Sequence, residues 1–406
     1  MGRGGDENEK IIYLIVFILI LYFLGIILSD TKANNGYLKN GLTKNYLEKV
    51  WASENNNEKI FFICNYYKNL ESKYSSISYS TLMSINPDKF DIFNFHKMMS
   101  NKSEIRDYSI GNSKIVIDNY GEGLLVIDLL NNSSYRIVTE DPYSGFPAIS
   151  PNEKQVAFTG LSSDFIAGRL DSDNLDLYIV NIDGSNLKLL AQTKNENGIK
   201  GDEIYPKWSH DGLKLAFISY FEDYTKPRTE RLKNYYFALY LVNPFTNELK
   251  EIYKAKLIFA PIEWSYDSNK IAISAKDNEQ DDYEIYVIDI AKNNVTKLTD
   301  NNVDDFVWDW GSNDKLIFTS KDDLWVMDSN GDNKKQITKS NGNIEYRNAK
   351  WSPDFSKIVA QGYYKQQRKS EIFLIDLTNQ NKISKLIGSD NPFISYSHPT
   401  WIRFNK

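Results

Sequence analysis

The sequence predicts an all-β chain, a six-bladed β-propeller preceded by one N-terminal transmembrane helix, with seven blades if one further segment pairs into the ring. Three observations carry this. First, a Trp-centred phrase recurs: PKWSHDGLKLAF at 206–217, IEWSYDSNKIAI at 262–273 and AKWSPDFSKIVA at 349–360. A degenerate copy, PAISPNEKQVAF at 147–158, puts Ile149 in the Trp position. Second, an aromatic and aliphatic run follows in register six times, as LLVIDLL (124–130), LYIVNID (177–183), LYLVNPF (239–245), IYVIDIA (285–291), LWVMDSN (324–330) and IFLIDLT (372–378). A repeat of about 45–50 residues built from strands and turns marks one propeller blade per repeat. Third, residues 11–29 (IIYLIVFILILYFLGIILS) carry no charge and are long enough to cross a bilayer as a helix.

Taken in order, residues 1–10 form a short cytoplasmic tail and 11–29 the anchor. A cleaved signal peptide has a shorter apolar core and a small-residue cleavage site. The long run here, with Ala33 preceded by Lys32 as its nearest small apolar neighbour, favours a retained anchor. Residues 30–57 are a polar tether, and 58–105 an irregular segment that acts as a cap or an extra blade. The propeller proper is expected over 106–406.

Within each repeat, the first strand carries the Trp. A turn such as Asp211-Gly212 then suits a tight hairpin, because these residues tolerate positive φ. The second strand is KLAFIS, KIAIS or KIVAQ, the third is the recurring run, and the fourth is a short Lys-and-Leu stretch such as LKLLAQ or VTKLTD. In the fifth repeat, VWDWGSNDKLIFTS, Trp310 fits the repeat position best. The tail YSHPTWIRFNK (396–406) opens another repeat with Trp401. Strand 398–405 is expected to close the ring as the inner strand of a blade whose outer strands come from the N-terminal side.

Composition narrows the function. The net charge is −6 with no basic block, which argues against a nucleic-acid surface. The single cysteine, Cys64 in FFIC, allows no intramolecular disulfide and reads as a small buried apolar residue. Three histidines, His96, His210 and His398, are too scattered for a His-based metal site or catalytic triad. The Asp/Asn-rich turn DSNGDN (328–333) lacks the later Glu of a calcium loop and reads as a turn. No cofactor and no metal ligand is expected.

The phrases WSPDFSKIVA, WSHDGLKLAF and IFLIDLT resemble the repeat of the TolB-type propeller family, with its Trp-Ser-Pro-Asp-Gly core, over about 280 residues of the chain. His210 or Tyr266 replaces the Pro, and Ser268 or Phe355 the Gly. The resemblance implies a six-bladed ring outside the cytoplasm that acts mainly through protein–protein contacts. The partner-binding N-terminal domain of the periplasmic family member is not evident. Similar propellers precede a hydrolase domain in the prolyl oligopeptidase class, but no G-x-S-x-G nucleophile elbow is present here.

Residues just before each Trp strand should lie near the mouth of the central channel. Five before Trp208, Trp310 and Trp351 stand Glu203, Asp305 and Tyr346. Asp202, Tyr205, Asp304, Glu345 and Arg347 are close by, so one rim combines acids, aromatics and a single Arg as a ligand or partner site. A second candidate is the insertion 221–237, where Lys226, Arg228, Arg231 and Lys233 stand beside Tyr224, Tyr235 and Tyr236. The expected function is a single-pass, extracytoplasmic scaffold without catalytic activity that binds other proteins or envelope polymers. The alternative is a carboxylate-based hydrolase or lyase at the channel mouth.

Overall fold

The computed structural model describes residues 58–403 apart from stretches at 68–76, 86, 88–91, 95–104, 120–122, 132, 139–144, 162–173 and 392–393. The expected anchor and tether lie outside the described residues, and no described helix is long and apolar enough to cross a membrane.

The repeated phrase folds as a hydrogen-bonded corner. Ser209 Oγ donates to Asp211 Oδ1 at 2.6 Å, and Asp211 in turn accepts the Leu213 N–H at 2.9 Å. The Lys214 N–H donates back to Ser209 Oγ at 3.0 Å. Ser265 with Asp267 and Ser352 with Asp354 repeat the arrangement. The position after it is left-handed in every copy, with φ of 69° at Gly212, 60° at Ser268 and 59° at Phe355. That is why glycine is favoured there, and Ser268 and Phe355 hold the conformation without it.

These corners join the strands into seven four-stranded antiparallel sheets. Blade 1 spans 105–138, blade 2 145–191, blade 3 201–255, blade 4 257–297, blade 5 305–336 and blade 6 344–387. Blade 7 takes its inner strand, Ile394–Arg403, from the C-terminus and its outer strands, Glu58–Tyr67, Ile77–Ile85 and Ile92–Asn94, from the N-terminal side.

The ring therefore has seven blades and not the six expected, and it begins at 58 rather than 106. The reason is physical. Blade 7 draws its Trp401 and its outer strands from opposite ends of the chain, so no continuous repeat announces it. Its third strand, ISYSTLMSI, also lacks the aliphatic run and the Asp or Asn that ends it in the others. The closing strand starts at Ile394, earlier than the expected 398.

Seven apolar clusters occupy the seven gaps between neighbouring blades. Between blades 3 and 4, Ile218 and Leu239 meet Trp264 and Ile271. At the closure, Phe61, Ile63 and Leu82 pack on Ile115, Ile117 and Leu125 of blade 1. On the other side Ile60, Phe62 and Trp401 pack on Val359, Ile372 and Leu386 of blade 6. Cys64 is buried in that cluster, and burial pushes its thiol up to about 11.

The repeat Trp residues pack in these gaps, and two of them also bond across. Trp208 Nε1 donates to the Ala148 carbonyl of blade 2 at 3.0 Å, and Trp264 Nε1 to the Lys207 carbonyl of blade 3 at 3.1 Å. Each thereby satisfies a carbonyl on the free inner edge of the preceding blade. Trp310, the expected repeat Trp of blade 5, instead bonds Asp314 within its own corner.

Trp264 is among the largest fully buried side chains. Trp264→Ala should destabilise the fold by about 3–5 kcal/mol, read as a lower urea midpoint; an unchanged midpoint would show that the blade 3–4 gap does not depend on it.

Candidate functional site

All seven inner strands are interrupted two to four residues before the repeat Trp or its equivalent, where the pairing register with the second strand shifts. The bulge residues Phe146, Tyr205, Asn348 and His398 carry φ of 50°, 55°, 47° and 51°. An extra residue bends the strand and re-aims the side chains after it, here towards the axis. The Asn348 amide and the His398 N–H both reach Gln361 Oε1, at 2.8 and 3.4 Å. Phe146 and Tyr205 meet with ring centroids 4.4 Å apart.

The residue just before the Trp then reaches the channel wall. In four consecutive blades it is charged: Lys207, Glu263, Asp309 and Lys350. Lys350 Nζ lies 2.7 Å from Glu263 Oε1 and 3.5 Å from Asp309 Oδ1, and it donates to the Trp308 carbonyl at 2.6 Å. Lys207 lies 3.8 Å from Glu263. Lys350 thus spans the inner edge of blade 5 to meet blade 4. Burial opposes the charge on Glu263, but Lys207 and Lys350 outweigh it and hold the carboxyl below its usual range. Burial likewise opposes Lys350, yet Glu263 and Asp309 raise its ammonium. Asp309 is pushed up by burial despite Lys350.

Farther round the wall, burial pushes Asp107 up to about 7, against the hydrogen bond from the Tyr108 N–H and with Asp118 adding to the rise. Asp118 is raised to about 6 by burial, opposed by Arg106, whose Nη2 lies 2.7 Å away. His398 is exposed to solvent, yet the protein around its imidazole pushes it down to about 4.

The eight expected rim residues do not form one site. Glu203 and Asp305 are fully buried. Glu203 accepts from the Thr193 N–H and hydroxyl at 2.9 and 2.5 Å, fastening the link between blades 2 and 3. Asp305 accepts from Asn301 at 2.7 Å in the link from blade 4 to blade 5. Burial raises both carboxyls, Glu203 well above its ordinary range. Asp202 and Asp304 cap strand N–H groups, of Leu175 and Tyr283, each at 2.9 Å. Tyr346 is buried against Phe373. Glu345 pairs with Arg347, whose guanidinium also lies over Tyr363. Only Tyr205 reaches the channel wall among these eight, through its bulge. The charged residue directly before Trp208, Trp264, Trp310 and Trp351 was the legible signal for the wall, one position from the Trp rather than five.

The insertion 221–237 builds a second feature on the opposite end of the ring from the Trp corners. Its short helix, Arg228–Asn234, and the loop 194–200 enclose a cleft of about 240 Å³. Asn195, Asn197, Lys226 and Glu230 line it above Phe221 and Tyr236, whose rings stack 4.9 Å apart. Arg231 reaches Glu222 at 3.5 Å and lies over the Tyr224 ring. Amides, both signs of charge and an aromatic floor make this a polar cleft. Among the described residues no group of three or more His, Cys, Asp or Glu side chains is placed to hold a metal ion.

A profile described as the TolB beta propeller domain matches residues 164–397, more than half of the chain. In fold the chain is similar to an oligogalacturonate lyase in complex with manganese, with a TM-score of 0.56 and 14% identity over 80% of this chain and 84% of that one. It is similar to a puromycin hydrolase, with a TM-score of 0.57 and 12% identity over 83% of this chain. There it spans only 53% of the longer protein. TolB from Acinetobacter baumannii aligns at a TM-score of 0.48 and 14% identity, over 88% of this chain and 69% of that one. Likeness at these identities is one of fold alone. No curated protein sequence matches the chain.

Lys350→Met should leave Glu263 and Asp309 short of a partner and cost about 3–5 kcal/mol at neutral pH. The low-lying Glu263 carboxyl contributes stability that is full above its unfolded value and lost as pH falls from there through its lower folded value. The gap between variant and wild type in urea unfolding should therefore narrow at acid pH; a gap independent of pH would refute the pairing as its source.

Asp107 behaves oppositely. Its raised carboxyl is a cost that appears as pH climbs from its unfolded value towards about 7. Asp107→Asn should raise the melting temperature under alkaline conditions and leave it unchanged under strongly acid ones; the reverse trend would contradict the assignment.

Proposed function

The chain belongs to the TolB β-propeller family, and from that premise we propose that it is a membrane-anchored, extracytoplasmic scaffold that binds another protein and performs no chemistry of its own. One observation carries the reading. The charges on the channel wall neutralise one another in the Lys207–Glu263–Lys350–Asp309 cluster, while Glu203 and Asp305 are sealed between blades. The paired carboxylates that hydrolysis or elimination would need at the mouth are therefore engaged in holding the ring.

The partner site is the cleft under the 221–237 insertion. Insertions on propeller scaffolds project from one face and carry recognition. Exposed Asn197, Lys226 and Glu230 present both signs of charge and amide groups over an aromatic floor, which suits a polar polypeptide segment. A second reading has one observation in its favour: Asp107, raised to about 7 on the channel wall, could exchange a proton near neutrality. On that reading the likeness to a lyase and a hydrolase extends to chemistry of that kind at the channel.

In-cell crosslinking and pull-down of the full chain tests both. A specific partner should be captured by wild type and lost on combining Asn197→Ala, Lys226→Glu and Glu230→Lys, with folding checked by circular dichroism. Loss on Glu345→Ala with Arg347→Ala instead would move the site to the channel rim at the same end of the ring. Failure to capture any partner, with turnover of an acidic oligosaccharide that Asp107→Asn abolishes, would replace the scaffold with the enzyme.

A further inference from the structure

Every Trp strand runs towards one end of the ring, so the corners after the Trp strands and the turns between third and outer strands all lie at that end. Ten large apolar side chains stand exposed among the described residues. Five sit at the tips of those turns: Leu130, Leu187, Leu213, Phe245 and Tyr266. Four more, Leu189, Leu249, Val295 and Ile383, are the first or second residue of an outer strand leaving the same end. Only Tyr224 lies at the other end, in the insertion. Scattered exposed apolar residues are ordinary, but such segregation to one face is not.

Four of the five tips are tied together in pairs. Lys188 Nζ donates to the Pro244 carbonyl at 3.3 Å, joining the turn of Leu187 to that of Phe245. The Asp211 N–H donates to Ser268 Oγ at 3.0 Å, joining the corner of Leu213 to that of Tyr266. The five tips occupy four consecutive blades, from 1 to 4. Exposed Lys154, Lys188 and Lys250 stand among them, with exposed Asp211, Glu248 and Asp267.

The position of the chain's approach says what covers this face. Glu58, the first described residue, pairs with Arg403 two residues beyond Trp401, so the polypeptide joins the ring at the Trp end. Twenty-eight residues, 30–57, separate it from the apolar segment 11–29, a reach of at most about 100 Å. The apolar face is thus the one from which the chain departs towards its own hydrophobic segment.

We infer that the Trp end of the ring docks on the lipid bilayer surface, with the tips of blades 1–4 inserted at headgroup depth and the cleft under the 221–237 insertion facing away. Leu and Phe tips bury in the acyl boundary, Tyr266 suits the interface itself, and the lysines lie level with lipid phosphates. The inference rests on the anchored reading of the chain.

The test uses the full chain reconstituted in vesicles of phosphatidylethanolamine and phosphatidylglycerol. Phe245→Cys and Tyr224→Cys are each labelled with an environment-sensitive fluorophore; Cys64 is buried and stays unlabelled. The label at 245 should shift to the blue and lose intensity when nitroxide lipids are included, and the label at 224 should do neither. Equal behaviour of the two labels, in vesicles that retain the protein through an alkaline carbonate wash, would overturn docking and leave the anchor standing. A blue shift at 245 without nitroxide quenching would mean that another protein surface covers the face, and would also overturn it. Removal of the protein by the carbonate wash would defeat the anchor and, with it, the inference.

Discussion

Everything in this molecule depends on one antiparallel strand pair, Ile394–Arg403 against Glu58–Tyr67. A propeller blade cannot bury both faces alone, and each gap between blades needs two walls. Without this pair, blade 7 disappears, two of the seven apolar gaps lose a wall, and blades 1 and 6 expose their cores. Pairing the two ends of the chain thus converts a row of sheets into a ring with no open end. Tyr108 of blade 1 reinforces the closure, its hydroxyl reaching the carbonyls of Phe61 and His398.

Closure in turn creates a channel wall of inner-strand edges, and the edges must be satisfied. The bulges and, in blades 3 to 6, the charged residue before the Trp answer that need together. Lys350 takes the Trp308 carbonyl and two carboxylates at once. Such a cluster is a costly way to gain stability, because each ion must first lose its water. Its geometry, reaching across blade 5, instead specifies which blades sit next to which. The same economy appears at Glu203 and Asp305, where buried carboxyls fasten the links between blades.

The sequence made the blade legible wherever a repeat was unbroken. The Ser-x-Asp corner, the third-strand run and Trp310 in blade 5 all lie where the phrases put them. Blade 7 was not legible, because its Trp and its outer strands are more than 300 residues apart. The site was less legible still. Counting five residues back from Trp208 assumes an unbroken strand, and the bulge at Tyr205 shifts the register so that Glu203 turns into the gap between blades. A positive φ at a Tyr, an Asn or a His leaves no mark in composition, whereas the alternation Lys-Trp, Glu-Trp, Asp-Trp, Lys-Trp was present to be read. The cleft under the insertion was signalled only as a departure from the repeat.

The strand that begins at Glu58 is flanked on both sides, by the C-terminal strand and by Ile77–Ile85, and its hydrogen bonds stand perpendicular to its axis. Tension applied through the segment before Glu58 therefore loads those two rows of bonds in shear, all at once, rather than peeling them one by one. The Glu58 carboxylate, bonded to both Trp401 Nε1 and Arg403, is the first point to bear it. A ring closed in this way is also a mechanical fastening, able to hold its shape while something pulls on either the cleft or the leading chain.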